Sequence, residues 1–352
     1  MTSLTEISIA SRKLFVWLII AFIAYLFLRF LVGIIISNLP RPAPVIEPPN
    51  ALFNKIPNPA FPNIASSSSG MIFVLENIEG KPPETTSSAR VYSMPKKMPS
   101  FLTNERATDF ATKLGFTADP EIVSSFFFRF IDPKNNLRTI ELDGVNLNFI
   151  LKYDYLQNIE LFNHQQVIKV DNSISEVKNY LQSNSLFDAS VLQGKVTTQL
   201  LYFDTASKKF SPVNNLSSAN ALRINFFRQD LDGWKIIPPG FNESFNYVIY
   251  VPSLDTTNNI LEIQYTFWPI DINNFGTYPL RNAVSAWQDL IDGYAYVVNM
   301  GRNTPDKIVI RNIYLAYYDS EKPQSFLQPI YVFEGDNDFV AYLPAVASEW
   351  LE

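Results

Sequence analysis

RNAVSAWQDLIDGYAYVVNMGRNTPDKIVIRNIYLAYYDSEKPQSFLQPIYVFEGDNDFVAYLPA, residues 281–345, changes its hydrophobic period once, and that change decides the fold class. After Pro279, the residues Ala283, Ala286, Trp287 and Leu290 recur at helical spacing on one face, and Gly293 supplies a stop. Downstream the period falls to two, and Lys307–Tyr318, Leu327–Phe333 and Phe339–Leu343 read as strands. A helix laid across a twisted antiparallel sheet hides one apolar stripe and one sheet face together. The stretch therefore predicts an α+β fold.

The same grammar runs upstream. Glu105 to Leu114 carries Ala107, Phe110, Ala111 and Leu114 on one face, with Asn104 placed to cap it and Gly115 to end it. A second helix is expected over Ile174–Leu181, where Ser173 and Glu176 have capping-box spacing. Alternation marks Val145 to Tyr155 as a strand, joined through an Asp143-Gly144 turn to Arg138–Leu142. Val196–Phe203, Leu222–Phe227, Asn246–Val251 and Ile260–Trp268 read likewise as strands. The expected body is a set of antiparallel sheets, each packed by a short helix, with helix-led segments that look like loose internal duplications.

Ahead of this body lies a different kind of sequence. Leu14 to Ile36 reads LFVWLIIAFIAYLFLRFLVGIII, 23 residues with a single charge. At ~1.5 Å per residue a helix of that length covers about 34 Å, enough for a bilayer core of roughly 30 Å. The run is longer than a signal-peptide core and ends without an A-x-A site, so an uncleaved anchor is the better reading. Arg12 and Lys13 before it favour a cytoplasmic N-terminus. Trp17 and Tyr25 are amphipathic aromatics. Arg29 either snorkels towards the nearer membrane face or meets a polar group on a partner's helix. These three are the candidate partner contacts. Eight prolines between residues 40 and 62, then Ser66-Ser67-Ser68-Ser69-Gly70, predict an extended tether. The expected organisation is a tail (1–13), a transmembrane helix (14–36), a tether (37–70), and α+β modules at 71–170 and 171–352.

Composition closes off much chemistry. Of 352 residues none is cysteine, which excludes thiol catalysis, iron–sulfur clusters, zinc knuckles and lipoprotein acylation, and one histidine excludes any site needing two. The net charge is −6; residues 1–40 carry +2, leaving −8 on the remainder, a sign that repels nucleic acid. His164 sits in a polar segment with no G-x-S-x-G elbow anywhere in the chain. Ser175–Lys178 and Ser93–Lys96 match Ser-x-x-Lys without the accompanying motifs, so ordinary polarity is the expected reading. Glu334, Asp336 and Asp338 lack the further ligands of a calcium loop and read as a hairpin turn, as do Asp230 and Asp232 before Trp234. No catalytic, cofactor or metal residue is expected, and the many C-terminal aromatics are expected mostly in the core.

Three stretches also carry a family likeness. They are Phe226–Ile236 with its acidic–glycine turn, the helix Ala283–Leu290, and the strands Ile313–Tyr318, Leu327–Phe333 and Phe339–Ala345. Together with the single anchor helix, residues 222–345 resemble the YycH/YycI group of bacterial membrane-anchored regulators and related PepSY-like modules. Tyr331 stands where tryptophan is commoner in that pattern, and the proline-rich tether is a further departure. The resemblance implies a non-enzymatic accessory protein whose anchor and ectodomain contact a sensor kinase. The expectation is a single-pass, extracytoplasmic binding or regulatory protein of a cell envelope. A component of a secretion or pilus assembly is the alternative, and an envelope hydrolase a third reading.

Overall fold

The computed structural model describes residues 17–29, 48–62, 67–162, 167–253 and 258–352. They fall into two units, residues 1–45 and 46–352. In the first, residues 17–29 form helix α1 with every residue exposed. The rest of the expected 14–36 span lies outside the described residues. Among the described residues, no helix is long and apolar enough to cross a membrane.

In the second unit the chain runs β1 (Phe73–Leu75), β2 (Ser88–Ser93), α2 (Thr103–Lys113), β3 (Glu121–Ser124), β4 (Phe127–Asp132), β5 (Asn135–Asp143) and β6 (Phe149–Tyr153). It continues through α3 (Val170–Ser183), the short α4 (Ala189–Leu192), β7 (Val196–Asp204), β8 (Lys209–Pro212), β9 (Ala221–Phe226), β10 (Ile236–Ile237), β11 (Tyr247–Tyr250) and β12 (Ile260–Tyr265). Last come β13 (Asp271–Pro279), α5 (Ala283–Ile291), β14 (Tyr296–Asn299), β15 (Ile308–Tyr318), β16 (Phe326–Gly335) and β17 (Val340–Pro344). The α+β class with large antiparallel sheets and few helices is thus as the hydrophobic pattern requires.

Two sheets organise these strands. A nine-stranded antiparallel sheet has the order β3-β4-β5-β6-β12-β11-β9-β7-β8. An eight-stranded sheet has the path β1-β15-β16-β17-β14, with β10 beside β15 and β2 linking β16 to β13. Its β1–β15 and β10–β15 pairs are parallel, an addition to the expected antiparallel scheme. The nine-stranded sheet carries two helices. Ala107 and Ala111 of α2 and Val177 and Leu181 of α3 enter one core with Ile140, Leu151, Ile224 and Ile263. The eight-stranded sheet carries α5, whose Ala283, Ala286 and Leu290 are buried with Val297, Ile308 and Phe333.

The decisive helix forms as expected. Asn282 accepts a hydrogen bond from Ser285 N–H at 2.8 Å, and Gly293 turns the chain out at φ +93°. A Cβ at Gly293 would stand 2.8 Å from Ser69 Cα, so glycine is needed for contact as well as for φ. Five expectations need correction. The boundary at 170/171 falls inside the nine-stranded sheet, because β6 pairs with β12 across it. The resembling stretch 222–345 is likewise divided between both sheets. Helix α3 starts at Val170, so Ser173 and Glu176 form no capping box; Ser173 is buried, and Glu176 reaches Tyr250 and Asn259 instead. Strand β6 begins at Phe149, not Val145. Asp143 spends its carboxylate on Val145 N–H and Asn146 Nδ2, at 2.9 and 2.6 Å, and Leu147 takes φ 62°.

The fifth correction concerns the tether. Proline removes amide donors but leaves carbonyl acceptors, and residues 48–62 use them against the eight-stranded sheet. Gln328 Nε2 donates to Pro57 O at 2.8 Å, and Tyr318 Oη donates to Ala60 O at 3.2 Å. Asn50 and Ala51 N–H donate to Thr277 O, and Ile56 pairs with Leu351. The Phe61 ring stacks on Tyr296 at 5.4 Å and stands edge-on to Tyr318 at 4.8 Å. Ser68 Oγ donates to Leu290 O at 2.7 Å. Residues 48–62 are a strap belonging to the body. Residues 37–47 and 63–66 lie outside the described residues.

Candidate functional site

The two helices on the nine-stranded sheet leave a gap, because each apolar stripe grips its own part of the sheet. A cleft of about 390 Å³ opens there. Leu151, Tyr250 and Ile260 come from its strands and Asn259 from just before β12; Lys113 and Leu114 come from the end of α2. Helix α3 adds Glu176, Val177 and Tyr180, and β5 adds Arg138. The helical spacing of Glu176 and Tyr180, four apart, puts both on the cleft side of α3.

Each polar group has a distinct state. Glu176 accepts from Tyr250 Oη at 2.7 Å and from Asn259 Nδ2 at 2.6 Å, one bond on each carboxylate oxygen. Burial and that carboxylate together hold the Tyr250 phenol well above its ordinary range. Arg138 gives Nη1 to Asp132 at 2.8 Å and lies over the Phe116 ring at 5.3 Å. Burial raises the Tyr180 phenol, and the positive charge of Arg138 pulls the other way, which marks their nearness. The arrangement can bind and orient a small polar molecule; both oxygens of its one carboxylate are already hydrogen-bonded.

A second constellation lies where the sheets meet. Arg228 follows β9 and Asp319 follows β15, and their side chains pair at 2.8 Å with 2% and 5% exposed. Arg228 Nη2 also donates to Trp268 O at 2.8 Å, and the guanidinium lies 4.2 Å from the Phe267 ring centroid. Burial drives the Asp319 carboxyl upwards while Arg228 opposes it, and its Oδ1 has no hydrogen-bond partner. Breaking such a pair costs about 3–5 kcal/mol because one charge stays buried alone. This pair pins one sheet to the other. Beside it, Glu141, Asp143 and Glu321 line a cavity of about 270 Å³. Asp143 is committed to its turn and Glu321 Oε1 accepts from Gln264 Nε2 at 3.3 Å.

The candidate contacts Trp17, Tyr25 and Arg29 all lie on α1 and are exposed. At ~100° per residue Tyr25 and Arg29 share a face, with Trp17 about 80° from Tyr25. His164 lies outside the described residues. Ser175 Oγ donates to Asp171 O at 2.8 Å within its own helix. In the β16–β17 turn, Asp336 pairs with Arg311 at 2.6 Å, and Tyr314 donates to Glu334. Asp232, at φ 53°, accepts from Tyr92 Oη at 2.6 Å and Tyr317 Oη at 2.9 Å, so this turn carboxylate anchors two core phenols. Of the C-terminal aromatics, Tyr317, Tyr318, Tyr331, Phe333, Phe339 and Tyr342 are buried, and Tyr294 is exposed.

Sequence reading missed the cleft and the buried pair. Arg228 follows Phe226-Phe227, a signal for an arginine entering a core, but its partner stands 91 positions away. Glu176 was masked by a plausible capping pattern.

No family model matches the chain, and no curated protein matches it. Among solved structures it is similar to an uncharacterized protein from Eubacterium rectale, at 11% identity, covering 78% of this chain and 87% of that one, with a TM-score of 0.40. It is also similar to the C-terminal domain of YpeB from Bacillus megaterium, at 13% identity, covering 72% and 95%, with a TM-score of 0.31. Neither likeness is close enough to assign a fold family.

Proposed function

We propose that this chain is a single-pass, membrane-anchored binding protein whose body lies outside the cytoplasm and acts by contact with other envelope proteins, without catalysis. The observation that carries the reading is α1. Ten large apolar side chains there, from Trp17 to Leu28, are exposed. At ~25 cal/mol per Å² that surface favours a lipid surrounding strongly. On the body, Phe101, Ile122, Val123 and Phe127 are also exposed and offer an apolar contact surface. The resemblance of residues 222–345 to the YycH/YycI group names a sensor kinase as the partner to seek.

The absence of cysteine makes the test direct. Thr2→Cys and Ser207→Cys, made separately, give one thiol each for a membrane-impermeant maleimide on intact cells. Ser207 is exposed in the β7–β8 turn. The expected result is labelling at position 207 only, with the full chain resisting carbonate extraction. A chain lacking residues 1–46 that remains with the membrane, or labelling at position 2 alone, overturns the anchor and its orientation.

A further inference from the structure

The cleft between α2 and α3 holds more donor capacity than the fold uses. Lys113 makes no ion pair among the described residues, although it sits in the last turn of α2, where a cation suits the helix dipole. Arg138 commits Nη1 to Asp132, and its Nε and Nη2 have no hydrogen bond among the described residues. The Tyr180 hydroxyl likewise makes none, and it is not among the side-chain atoms sealed from solvent. All three side chains line one cavity of about 390 Å³, at the small end of ligand-sized pockets (roughly 300–1,000 Å³).

The rest of the lining sets what can enter. Glu176 is already satisfied by Tyr250 and Asn259, so it claims none of these donors; its charge still weighs against a doubly charged anion. Leu114, Leu151, Val177 and Ile260 provide apolar wall. A planar monoanion matches the fork of a guanidinium better than a tetrahedral one does beside a carboxylate. We propose that this cleft binds a small organic carboxylate, its head held by Arg138, Lys113 and Tyr180 and its apolar part against Leu151, Val177 and Ile260. The site stands whether or not the body meets a protein partner, so it goes beyond the anchored-binding reading.

The test uses the full chain in lipid nanodiscs and calorimetric titration with 3-phenylpropanoate, its neutral amide, and inorganic phosphate. The expected result is saturable binding of the carboxylate, with Kd of about 1 mM or tighter, at least ~10-fold tighter than the amide or phosphate. Lys113→Gln and Tyr180→Phe are each expected to weaken it ~3–10-fold with the unfolding midpoint unchanged. Titration of empty nanodiscs sets the lipid background. Equal binding of acid and amide, tighter binding of phosphate, no binding above background, or affinity unmoved by both variants overturns the proposal. None of those results bears on membrane anchoring, which the labelling experiment reads separately.

Discussion

The nine-stranded sheet draws all its strands from residues 121–265, in a single stretch of chain, whereas the eight-stranded sheet gathers strands from residues 73–93, 236–237 and 271–344. The first is assembled from hairpin-like neighbours and closes only once over long range, where β6 meets β12. The second adds distant partners to its local β15–β16–β17 hairpins, including β2 with β13 and β1 with β15. The first covers one face with two helices and leaves a cleft between them. The second is sealed by a strap and by a cluster of buried tyrosines. Local assembly leaves room for a binding site; distributed assembly binds the ends of the body together.

Alkaline titration should break the comparison most completely. Tyr317, Tyr318 and Tyr342 lie in or beside the eight-stranded sheet, and burial raises each phenol above its ordinary value near 10. The folded state therefore holds these protons more tightly than the unfolded chain does. Their contribution is full below about pH 10 and is lost as pH rises through the folded values. Tyrosinate absorbance at 295 nm should rise steeply above that pH together with loss of the circular-dichroism signal. Gradual ionisation with the fold intact is the contrary outcome.

Removing the pin between sheets comes next. Arg228→Met should cost about 3–5 kcal/mol in urea unfolding, and the double variant with Asp319→Asn should recover much of it. Two separated transitions in the single variant would sharpen the contrast into independent folding units. Leu181→Ala, in the core under α3, should cost about 2–5 kcal/mol. Hydrogen exchange should then rise first in residues 121–265, with β15 and β16 still protected. The smallest effect is expected from Phe61→Ala, about 1–3 kcal/mol, from lost ring contacts and burial. Its signature is faster exchange at residues 48–62 with the nine-stranded sheet unchanged.

What could be read in advance follows the same division. α5 announces itself through Pro279, its apolar stripe and Gly293, all within about fifteen positions, and β15 through β17 through plain alternation. In the nine-stranded sheet β7, β9, β11 and β12 were legible for the same reason, while the short β8 was not. The pairing of β2 with β13 leaves no local trace, because both carry mixed sequences whose burial depends on one another. Residues 48–62 have the composition of a spacer, and the carbonyl acceptors, the Asn50 and Ala51 amides and the isolated Ile56 and Phe61 side chains that make them part of the body form no periodic pattern. The cleft was invisible because its residues come from six elements, and each one has an ordinary local role.

The strap has a consequence for synthesis. Ile56 pairs with Leu351, and Asn58 Nδ2 donates to the Glu352 carbonyl at 2.7 Å. The eight-stranded half therefore cannot be locked until the chain has emerged to about residue 350, while the segment ending at β12 holds all its own strands long before. Folding is ordered from the middle outwards, and for a time the strap with β1 and β2, made early, waits unpaired for β13, β15 and the residues near 350 that close it.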